Sequence, residues 1–374
     1  MDDWMITKII YFNIILACTD AAILWCFSRR PTPRNLIVSL LCLALVGVYV
    51  AKQFSVPGYS VLTFLCFAVF IYIPIFLAAS CFILRRKAPK TAVAALLVGL
   101  LCVSVGVDAF FIEPHWLDVS HVTFSSPKIE RPLRIVFIAD FQTDNISAFE
   151  EEFLRRALAE EPDIILFGGD YLQVSRQRRV ALLKQANQLM QDVELEAPEG
   201  VFAVQGNVDL GVPWQLIFSG RPVTTVHATK SFDVAGIRLT CLSKPDSFNP
   251  NFQLRKPYDE QTGADGETSE PFHVVLGHAP DYALGRVPAD LLLAGHTHGG
   301  QVQLPGLGPI ITMSKVPRNW ASGITELPHG RRLLVSRGLG MERFVAPRLR
   351  FLCRPELVVI DLVPEKQPET TPAE

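Results

Sequence analysis

Residues 291–301 read Leu-Leu-Leu-Ala-Gly-His-Thr-His-Gly-Gly-Gln, an apolar run followed directly by two histidines. The run is short and stops at Gly295, which predicts a buried strand that ends in a glycine-rich loop. His296 and His298 would then leave the strand end where the backbone turns, in a position to face a cleft. A lone His-x-His also arises from unrelated histidines, so its meaning depends on whether the pattern recurs.

The pattern of an apolar strand followed by a polar cluster recurs four times upstream. The clusters and the residues that precede them are Asp140 with Gln142 after 133–139, Asp170 after 163–167, Asn207 with Asp209 after 201–204, and His278 after 272–276. Helices are predicted between the first strands, at 147–160, where Ser147 and Glu150 form a capping box, and at 175–194. Alternating strands and helices favour an α/β domain whose ligands bind at the carboxyl ends of the strands.

The second half of the chain is predicted to be richer in strands. Residues 223–230 and 232–242 are expected to pair, with a turn near Ala235 and Gly236. The polar stretch 249–270 lacks periodicity and is expected to form a long exposed loop.

The N-terminal part of the chain is strongly apolar. Four runs reach the roughly 20 residues that a helix needs to cross a bilayer, at about 6–27, 36–54, 61–84 and 91–112. A signal peptide is the alternative for the first run, but its acidic start and the absence of a small-residue cleavage site favour a retained span. We predict transmembrane helices over 1–112, a linker over 113–132, a catalytic domain over 133–363 and a disordered tail over 364–374.

The charges between the runs predict an orientation. Lys and Arg are most frequent after the first and third runs, and the positive-inside rule places those loops in the cytoplasm. The catalytic domain would then lie outside the cytoplasm, anchored to the cell (inner) membrane. The net charge of −2 gives no indication of a nucleic-acid partner. Cys241 and Cys353 could pair in an oxidising compartment or remain buried thiols.

The polar clusters at five strand ends suit metal ions. Aspartate, asparagine and histidine are ligands for Mn²⁺, Fe²⁺ or Zn²⁺, and these donors are too many for one ion. A two-metal hydrolytic site accounts for them.

The ordered blocks resemble the calcineurin-like metallophosphoesterases, specifically their bacterial membrane-anchored branch. The blocks are Asp140-x-Gln142, Gly169-Asp170, Gly206-Asn207-x-Asp209, Gly277-His278 and Gly295-His296-Thr297-His298. The resemblance extends over about 133–362 and implies two β-sheets stacked as a sandwich and flanked by helices, with metals at one rim. It also implies a phosphoesterase that uses two divalent ions, with manganese favoured and iron or zinc as alternatives, to direct a metal-activated hydroxide at phosphorus.

The resemblance implies roles for particular residues. One metal would be held by Asp140, Asp170 and His298, with the amide oxygen of Gln142 as a weaker ligand, and the other by Asp170, Asn207, His278 and His296. Catalytic roles are implied for Asp170, Asn207, Asp209 and His278. Independently of the resemblance, Arg337 and Arg343 follow the metal blocks closely enough in sequence to contact a substrate phosphate, with surface ion pairs or lipid headgroup contacts as the alternative.

Two positions depart from the family pattern. Gln142 stands where most members have a histidine, and its amide oxygen shifts the expected preference toward Mn²⁺. Val208 stands where the family has the histidine that protonates the leaving group, a loss of roughly 10²- to 10⁴-fold for a poor leaving group. We therefore expect a phosphodiester or pyrophosphate bond in a phosphorylated small-molecule or lipid-linked substrate.

Two alternatives remain at this point. The first is a pseudoenzyme or binding scaffold with a degraded metal site, which Gln142 and Val208 suggest. The second is a pyrophosphate hydrolase of the UDP-2,3-diacylglucosamine type, which the predicted extracytoplasmic placement disfavours.

Overall fold

The computed structural model describes residues 3–56, 58–254 and 270–365. These residues form two compact units, one up to Pro114 together with Glu342–Phe351, and the other His115–Met341 together with the residues from Leu352 onward. Most of the exposed loop predicted at 249–270, and residues 366–374 of the predicted disordered tail, lie outside the described residues.

The first unit consists of apolar helices. They are α1 (Asp3–Arg29), α2 (Pro33–Phe54), α3 (Ser60–Phe67), α4 (Ile73–Leu84) and α5 (Pro89–Val107). A π-helical turn at Ala68–Tyr72 joins α3 to α4 just before Pro74, whose ring nitrogen cannot donate a regular helical hydrogen bond. The result is four helices that are long and apolar enough to cross a membrane, in agreement with the four predicted: Trp4–Arg29, Pro33–Phe54, Ser60–Leu84 and Pro89–His115.

One segment distant in sequence belongs to this helical unit. In Glu342–Phe351, the carbonyl of Val345 accepts a hydrogen bond from Thr63 Oγ1 at 2.7 Å, and Arg350 N donates to Ala109 O at 3.0 Å. The chain therefore returns to the helices after most of the second unit has been completed.

The second unit contains two six-stranded sheets. The first sheet has the order β1 (Asp118–Ser126), β14 (Glu356–Pro364), β2 (Leu133–Ile138), β3 (Ile164–Phe167), β4 (Val201–Val204) and β5 (Val223–Val226). The second has the order β12 (Gly323–Glu326), β13 (Arg332–Val335), β9 (Leu291–Ala294), β8 (Phe272–Leu276), β7 (Ile237–Cys241) and β6 (Lys230–Val234). A small hairpin pairs β10 (Gln303–Leu304) with β11 (Gly308–Pro309).

The two sheets enclose an apolar core. Phe137 and Leu166 of the first sheet share this core with Val274 and Leu293 of the second, and all four are fully buried. Helices α6 (Ala148–Ala159) and α7 (Arg176–Asp192) cover the other face of the first sheet. A short helix, α8 (Lys244–Ser247), precedes β8. The chain therefore has the predicted α/β architecture, a sandwich with flanking helices preceded by four apolar helices.

Four adjacent strands in each sheet run parallel to one another, so that their carboxyl ends lie along the same edge of that sheet. In the first sheet β2, β3, β4 and β5 are parallel, and in the second sheet β7, β8, β9 and β13 are parallel. The capping box predicted at the start of α6 is confirmed, with Ser147 N donating to Glu150 Oε2 at 2.9 Å.

Two local predictions differ from the structure. The predicted linker 113–132 contains β1, which pairs in parallel with β14. Its less exposed Val122, Phe124 and Ser126 alternate with the exposed His121, Thr123 and Ser125, which is the two-residue period of a strand. The predicted pairing of 223–230 with 232–242 is wrong, because β5 joins the first sheet and β6 pairs with β7 around Ala235 and Gly236. The short connection between β5 and β6 contains Thr229, whose hydroxyl donates a hydrogen bond to the carboxylate of Asp246 in α8.

The position of the core between the sheets predicts that replacing two different isoleucines will have different effects on the free energy of unfolding. Ile360 in β14 is fully buried, whereas Ile324 in β12 is 44% exposed. Ile360→Ala should lower the free energy of unfolding by about 2–5 kcal/mol because it leaves a cavity. Ile324→Ala should change it by about 0.5 kcal/mol or less. Urea unfolding of the detergent-solubilised chain, followed by tryptophan fluorescence, measures both; equal effects would contradict this placement of the core.

Candidate metal centre

The seven predicted ligands all follow strands that run in the same sense within their sheet. Asp140 and Gln142 follow β2, Asp170 follows β3, Asn207 follows β4, His278 follows β8, and His296 and His298 follow β9. All except Asn207, which is half-buried, are buried. Parallel order thus gathers polar side chains from both sheets at one rim of the sandwich.

The backbone is strained at most of these positions. Residues with positive φ include Asp140 (47°), Gln142 (24°), Asp170 (55°), His296 (69°) and His298 (49°). Each such residue costs roughly 1–3 kcal/mol, and residues of this kind persist where function requires an unusual side-chain direction. Five of the seven predicted ligands therefore adopt this conformation, which the described residues also show at other loop positions such as Glu161, Ala235 and His329.

Two glycines allow other strand ends to approach Asp140. A Cβ at Gly295 would lie 2.8 Å from Asp140 Oδ2, and a Cβ at Gly338 would lie 2.7 Å from the Asp140 Cβ. His296 N donates to Asp140 Oδ2 at 2.7 Å, and Gly340 N donates to Asp140 O at 2.7 Å. Strand ends of the second sheet therefore hold the first predicted ligand in place.

Three of the predicted ligands form a compact cluster. Ligand atoms of Asp170, His278 and His296 all lie within 4.8 Å of one another, and all three residues are buried. Asn207 joins them, since its Oδ1 lies 2.9 Å from His278 Nε2. These are the residues predicted for the second metal, and the structure brings all four together.

Backbone carbonyls determine which histidine nitrogens face this cluster. His278 Nδ1 donates to Gly168 O at 2.8 Å, which leaves Nε2 directed at Asn207 and 3.4 Å from Asp170 Oδ2. His296 Nε2 donates to Met313 O at 3.0 Å, and its buried Nδ1 has no hydrogen-bond partner among the described residues. Metal-binding histidines are fixed in this way by a bond from the second nitrogen. The donor set therefore fits a divalent cation.

The remaining predicted ligands lie around the cluster. Asp140 Oδ1 is 3.7 Å from His278 Nδ1, and Gln142 N donates to Asp170 O at 2.8 Å. The side-chain nitrogen of Gln142 donates to Gln173 Oε1 at 2.8 Å. His298 is fully buried, and its carbonyl lies 3.2 Å from the thiol of Cys353. Their assignment to the first metal stays a prediction.

The electrostatics of the cluster favour a cation. Burial alone would lower the pKa of His278, but the negative charges of Asp170 and Asp140 outweigh it and raise that pKa to about 9. Burial opposes ionisation of Asp170, yet His278 holds the pKa of Asp170 below its ordinary value. Burial and the charge of His278 lower the pKa of His296 to about 4. The attraction that favours a proton on His278 would equally favour a metal ion beside Asp170.

Asp209, predicted to be catalytic, is placed as a positioning residue. Its Oδ2 accepts from Asp170 N and from Gly206 N, both at 2.8 Å, and its Oδ1 accepts from Tyr171 N at 2.9 Å. Burial and the charge of Asp170 raise the pKa of Asp209 to about 7. The carboxylate thus ties the loop after β3 to the loop after β4.

The two arginines predicted to contact substrate are placed in different units. Arg337 Nη2 lies 2.5 Å from Asp118 Oδ2 and 3.0 Å from Glu356 Oε1, and these acidic groups raise the pKa of its guanidinium despite burial. Arg343 belongs to the segment that groups with the helices. Phosphate contacts by either residue stay a prediction. Cys241 and Cys353 are buried and form no disulfide.

Sequence reasoning missed two residues that contact His296. Met313 supplies the carbonyl described above, and the ring centroid of Phe248 lies 4.8 Å from that of His296. A backbone carbonyl has no signal in the sequence, and Phe248 follows a short helix that no apolar period marks.

With this geometry in place, comparisons with known proteins identify the family. The sequence model of the calcineurin-like phosphoesterases matches residues 133–300. The uncharacterized metallophosphoesterase YkuE of Bacillus subtilis (strain 168) is 30% identical over 300 residues, which are 74% of this chain and 97% of that protein. The chain belongs to the calcineurin-like metallophosphoesterases.

Two relatives of this metallophosphoesterase have names that state an activity. The phosphodiesterase YaeI of Escherichia coli (strain K12) is 27% identical over 266 residues, covering 68% of this chain and 91% of that protein. The UDP-2,3-diacylglucosamine pyrophosphatase LpxG of Chlamydia trachomatis (serovar D) is 26% identical over 311 residues, covering 68% and 92%. The family uses divalent metals, and the chain is a metal-dependent phosphoric ester hydrolase.

The contacts of Asp209 predict a loss of metal affinity on its removal. Asp209→Ala takes the acceptor from three backbone N–H groups, one of them on Asp170 itself, and should weaken Mn²⁺ binding about 10- to 100-fold. Isothermal titration with Mn²⁺ measures this. Asp233→Ala, which removes an exposed carboxylate paired with Arg238, is the control and should leave the affinity unchanged. Unchanged affinity in Asp209→Ala would contradict the positioning role.

Proposed function

We propose that this metallophosphoesterase is membrane-anchored and hydrolyses a phosphodiester or pyrophosphate bond whose leaving group departs without protonation. The observation that carries the proposal is the environment of Val208. Its backbone N donates to Asp170 Oδ1 at 2.8 Å, so the loop is held against the cluster although its side chain cannot supply a proton. The proposal therefore retains the metal site and changes the class of leaving group.

The class of leaving group follows from whether it must be protonated in the transition state. An alkoxide leaving a simple monoester is strongly basic and needs a proton in the transition state, a contribution of roughly 10²- to 10⁴-fold. A phosphate anion leaving a pyrophosphate, or an acidic alcohol leaving a diester, is stable without one. The names of the relatives, a phosphodiesterase and a pyrophosphatase, support these two classes.

The metal ions would be held by the residues described above. Asp170, with Asn207, His278 and His296, would hold one ion, and Asp140, Asp170 and His298, with Gln142 nearby, would hold the other. Divalent ions supply Lewis acidity and activation of water at such sites. The amide of Gln142 supports manganese. The chain's own part is to orient the imidazoles through Gly168 O and Met313 O and to hold Asp170 ionised.

The anchoring and its direction are also proposed. Four apolar helices of sufficient length support attachment to the cell (inner) membrane, and the distribution of Lys and Arg between them supports an extracytoplasmic catalytic domain. A phosphorylated small molecule or a lipid-linked phosphate at that surface would be the substrate.

The first test is hydrolysis of bis-p-nitrophenyl phosphate, whose leaving group needs no proton. The full-length chain in detergent with Mn²⁺ should hydrolyse it, and His296→Ala should reduce kcat/KM by at least about 100-fold because a metal ligand is lost. His121→Ala, at an exposed histidine paired with Glu160, is the control and should retain activity. Absence of turnover in the wild type, with at most one bound metal by calorimetry, would favour a binding scaffold.

A second test restores the family's proton donor. Val208→His should raise kcat/KM for glycerol 3-phosphate, a monoester with a basic alkoxide, by up to about 10²- to 10⁴-fold, and should change bis-p-nitrophenyl phosphate hydrolysis little. Val180→His, on the exposed face of α7, controls for the added imidazole. Equal gains on both substrates would indicate a general change in the site instead of a restored acid.

A further inference from the structure

A buried carboxylate that has no part in the proposed chemistry lies three residues after His278. Asp281 is 3% exposed and belongs to a 3-10 turn over Pro280–Leu284, between the loop that carries His278 and the strand β9. A buried carboxylate is tolerated only where hydrogen bonds or opposite charges compensate for its lost hydration. The hydrogen-bond partners of Asp281 therefore indicate what this carboxylate does.

These partners are distant in sequence and come directly after Met313. Asp281 Oδ1 accepts a hydrogen bond from Lys315 N at 2.9 Å and another from the hydroxyl of Ser314. The carboxylate thus fixes a backbone group and a side chain in the two residues that follow Met313. Because each peptide unit is planar and shares its Cα atoms with its neighbours, fixing residues 314 and 315 restricts the direction of the Met313 carbonyl.

The Met313 carbonyl is the group that orients His296. It accepts from His296 Nε2 at 3.0 Å, which leaves the buried Nδ1 as the nitrogen available to the cluster. Met313 has a φ of 53°, a left-handed conformation that a residue other than glycine keeps only where its surroundings impose it. Release of the residues that follow Met313 would let this conformation relax and turn the carbonyl away from the imidazole.

The turn that carries Asp281 is itself fixed to the second sheet. The next residue, Tyr282, is fully buried, and its hydroxyl lies 3.0 Å from Val275 O in β8 and 2.9 Å from Leu293 O in β9. These are the two strands that precede the histidines of the compact cluster. Asp281 is therefore held at a constant position relative to both strand ends.

We propose that Asp281 is a positioning residue for the metal centre, because it holds the Met313 carbonyl where that carbonyl orients His296 toward a divalent cation. Outer groups that orient a metal-binding histidine raise the affinity for the metal. Asp281 acts through the imidazole and not on the ion. This inference rests on the proposed metal site, to which it adds a residue outside the predicted ligand set.

A double-mutant cycle on Mn²⁺ binding tests this role. Asp281→Ala in the full-length chain in detergent should weaken Mn²⁺ binding about 10-fold, the lower end of the loss that removal of an outer partner causes. In a His296→Ala background, which has no imidazole to orient, the same substitution should change the affinity less than about twofold. Titration followed by electron paramagnetic resonance, whose signal reports free Mn²⁺, measures weak and tight binding alike.

Three further variants separate positioning from folding. Asp281→Asn keeps an oxygen that can accept both hydrogen bonds and should restore most of the affinity. Ser314→Ala removes one bond, should weaken binding about threefold, and repeats the cycle if Asp281→Ala does not fold. Asp290→Ala is the matched control and should leave the affinity unchanged. Its carboxylate also accepts a backbone N–H, from His273 at 2.8 Å, but near the starts of β8 and β9 instead of their ends.

Each outcome decides for or against the positioning role. Weakening by Asp281→Ala that disappears without the His296 imidazole, with recovery in Asp281→Asn, supports it. Equal weakening in both backgrounds, or equal weakening by Asp281→Ala and Asp290→Ala, overturns it, because a general loss of stability would then be responsible. Unchanged affinity in Asp281→Ala overturns it and leaves the metal site and the proposed function intact. A wild-type chain that binds no Mn²⁺ overturns both this inference and the proposed metal site.

Discussion

The metal centre depends on hydrogen bonds that side chains donate to backbone carbonyls. Gly168 O fixes one nitrogen of His278 and Met313 O fixes one nitrogen of His296, and the opposite nitrogens are thereby turned toward Asp170. An imidazole free to rotate would lose this direction and part of its affinity for a cation. Gly168 follows a strand of the first sheet, while His278 follows a strand of the second. The centre therefore exists only where the two sheets meet.

The same rim buries the carboxylates of Asp170 and Asp209, and a buried charge is tolerated only when hydrogen bonds or opposite charges compensate for its lost hydration. Asp170 accepts a hydrogen bond from Val208 N, and Asp209 accepts from three backbone N–H groups. Backbone dipoles thus offset part of the repulsion between the two carboxylates. The positive φ angles at the ligands add strain that the apolar core between the sheets must hold. Stability and metal affinity are consequently linked through the core.

Much of this arrangement could be predicted from the sequence, because long apolar runs mark the helices and short apolar runs followed by polar residues mark the strand ends. The four apolar helices, the α/β class and the capping box were accessible from the residue pattern, whereas the sandwich and the gathering of Asp170, Asn207, His278 and His296 were implied by the resemblance to a known family. The partner of β5 was not, because a four-residue strand fits the edge of either sheet. The positioning role of Asp209 was also hidden, since its partners are backbone groups, which are identical in every sequence.

The position of β14 in the first sheet has a consequence for synthesis of the chain. Among the described strands it is the last in sequence, yet it lies between β1 and β2, antiparallel to β2 and parallel to β1. Until Glu356–Pro364 leave the ribosome, both neighbours present unpaired edges, which are prone to aggregation. The apolar helices emerge much earlier and can enter a bilayer first. Under the proposed anchoring, translation orders the two events, with insertion before closure of the sheet, and a chain interrupted before β14 would be anchored while its sheet edges remained unpaired.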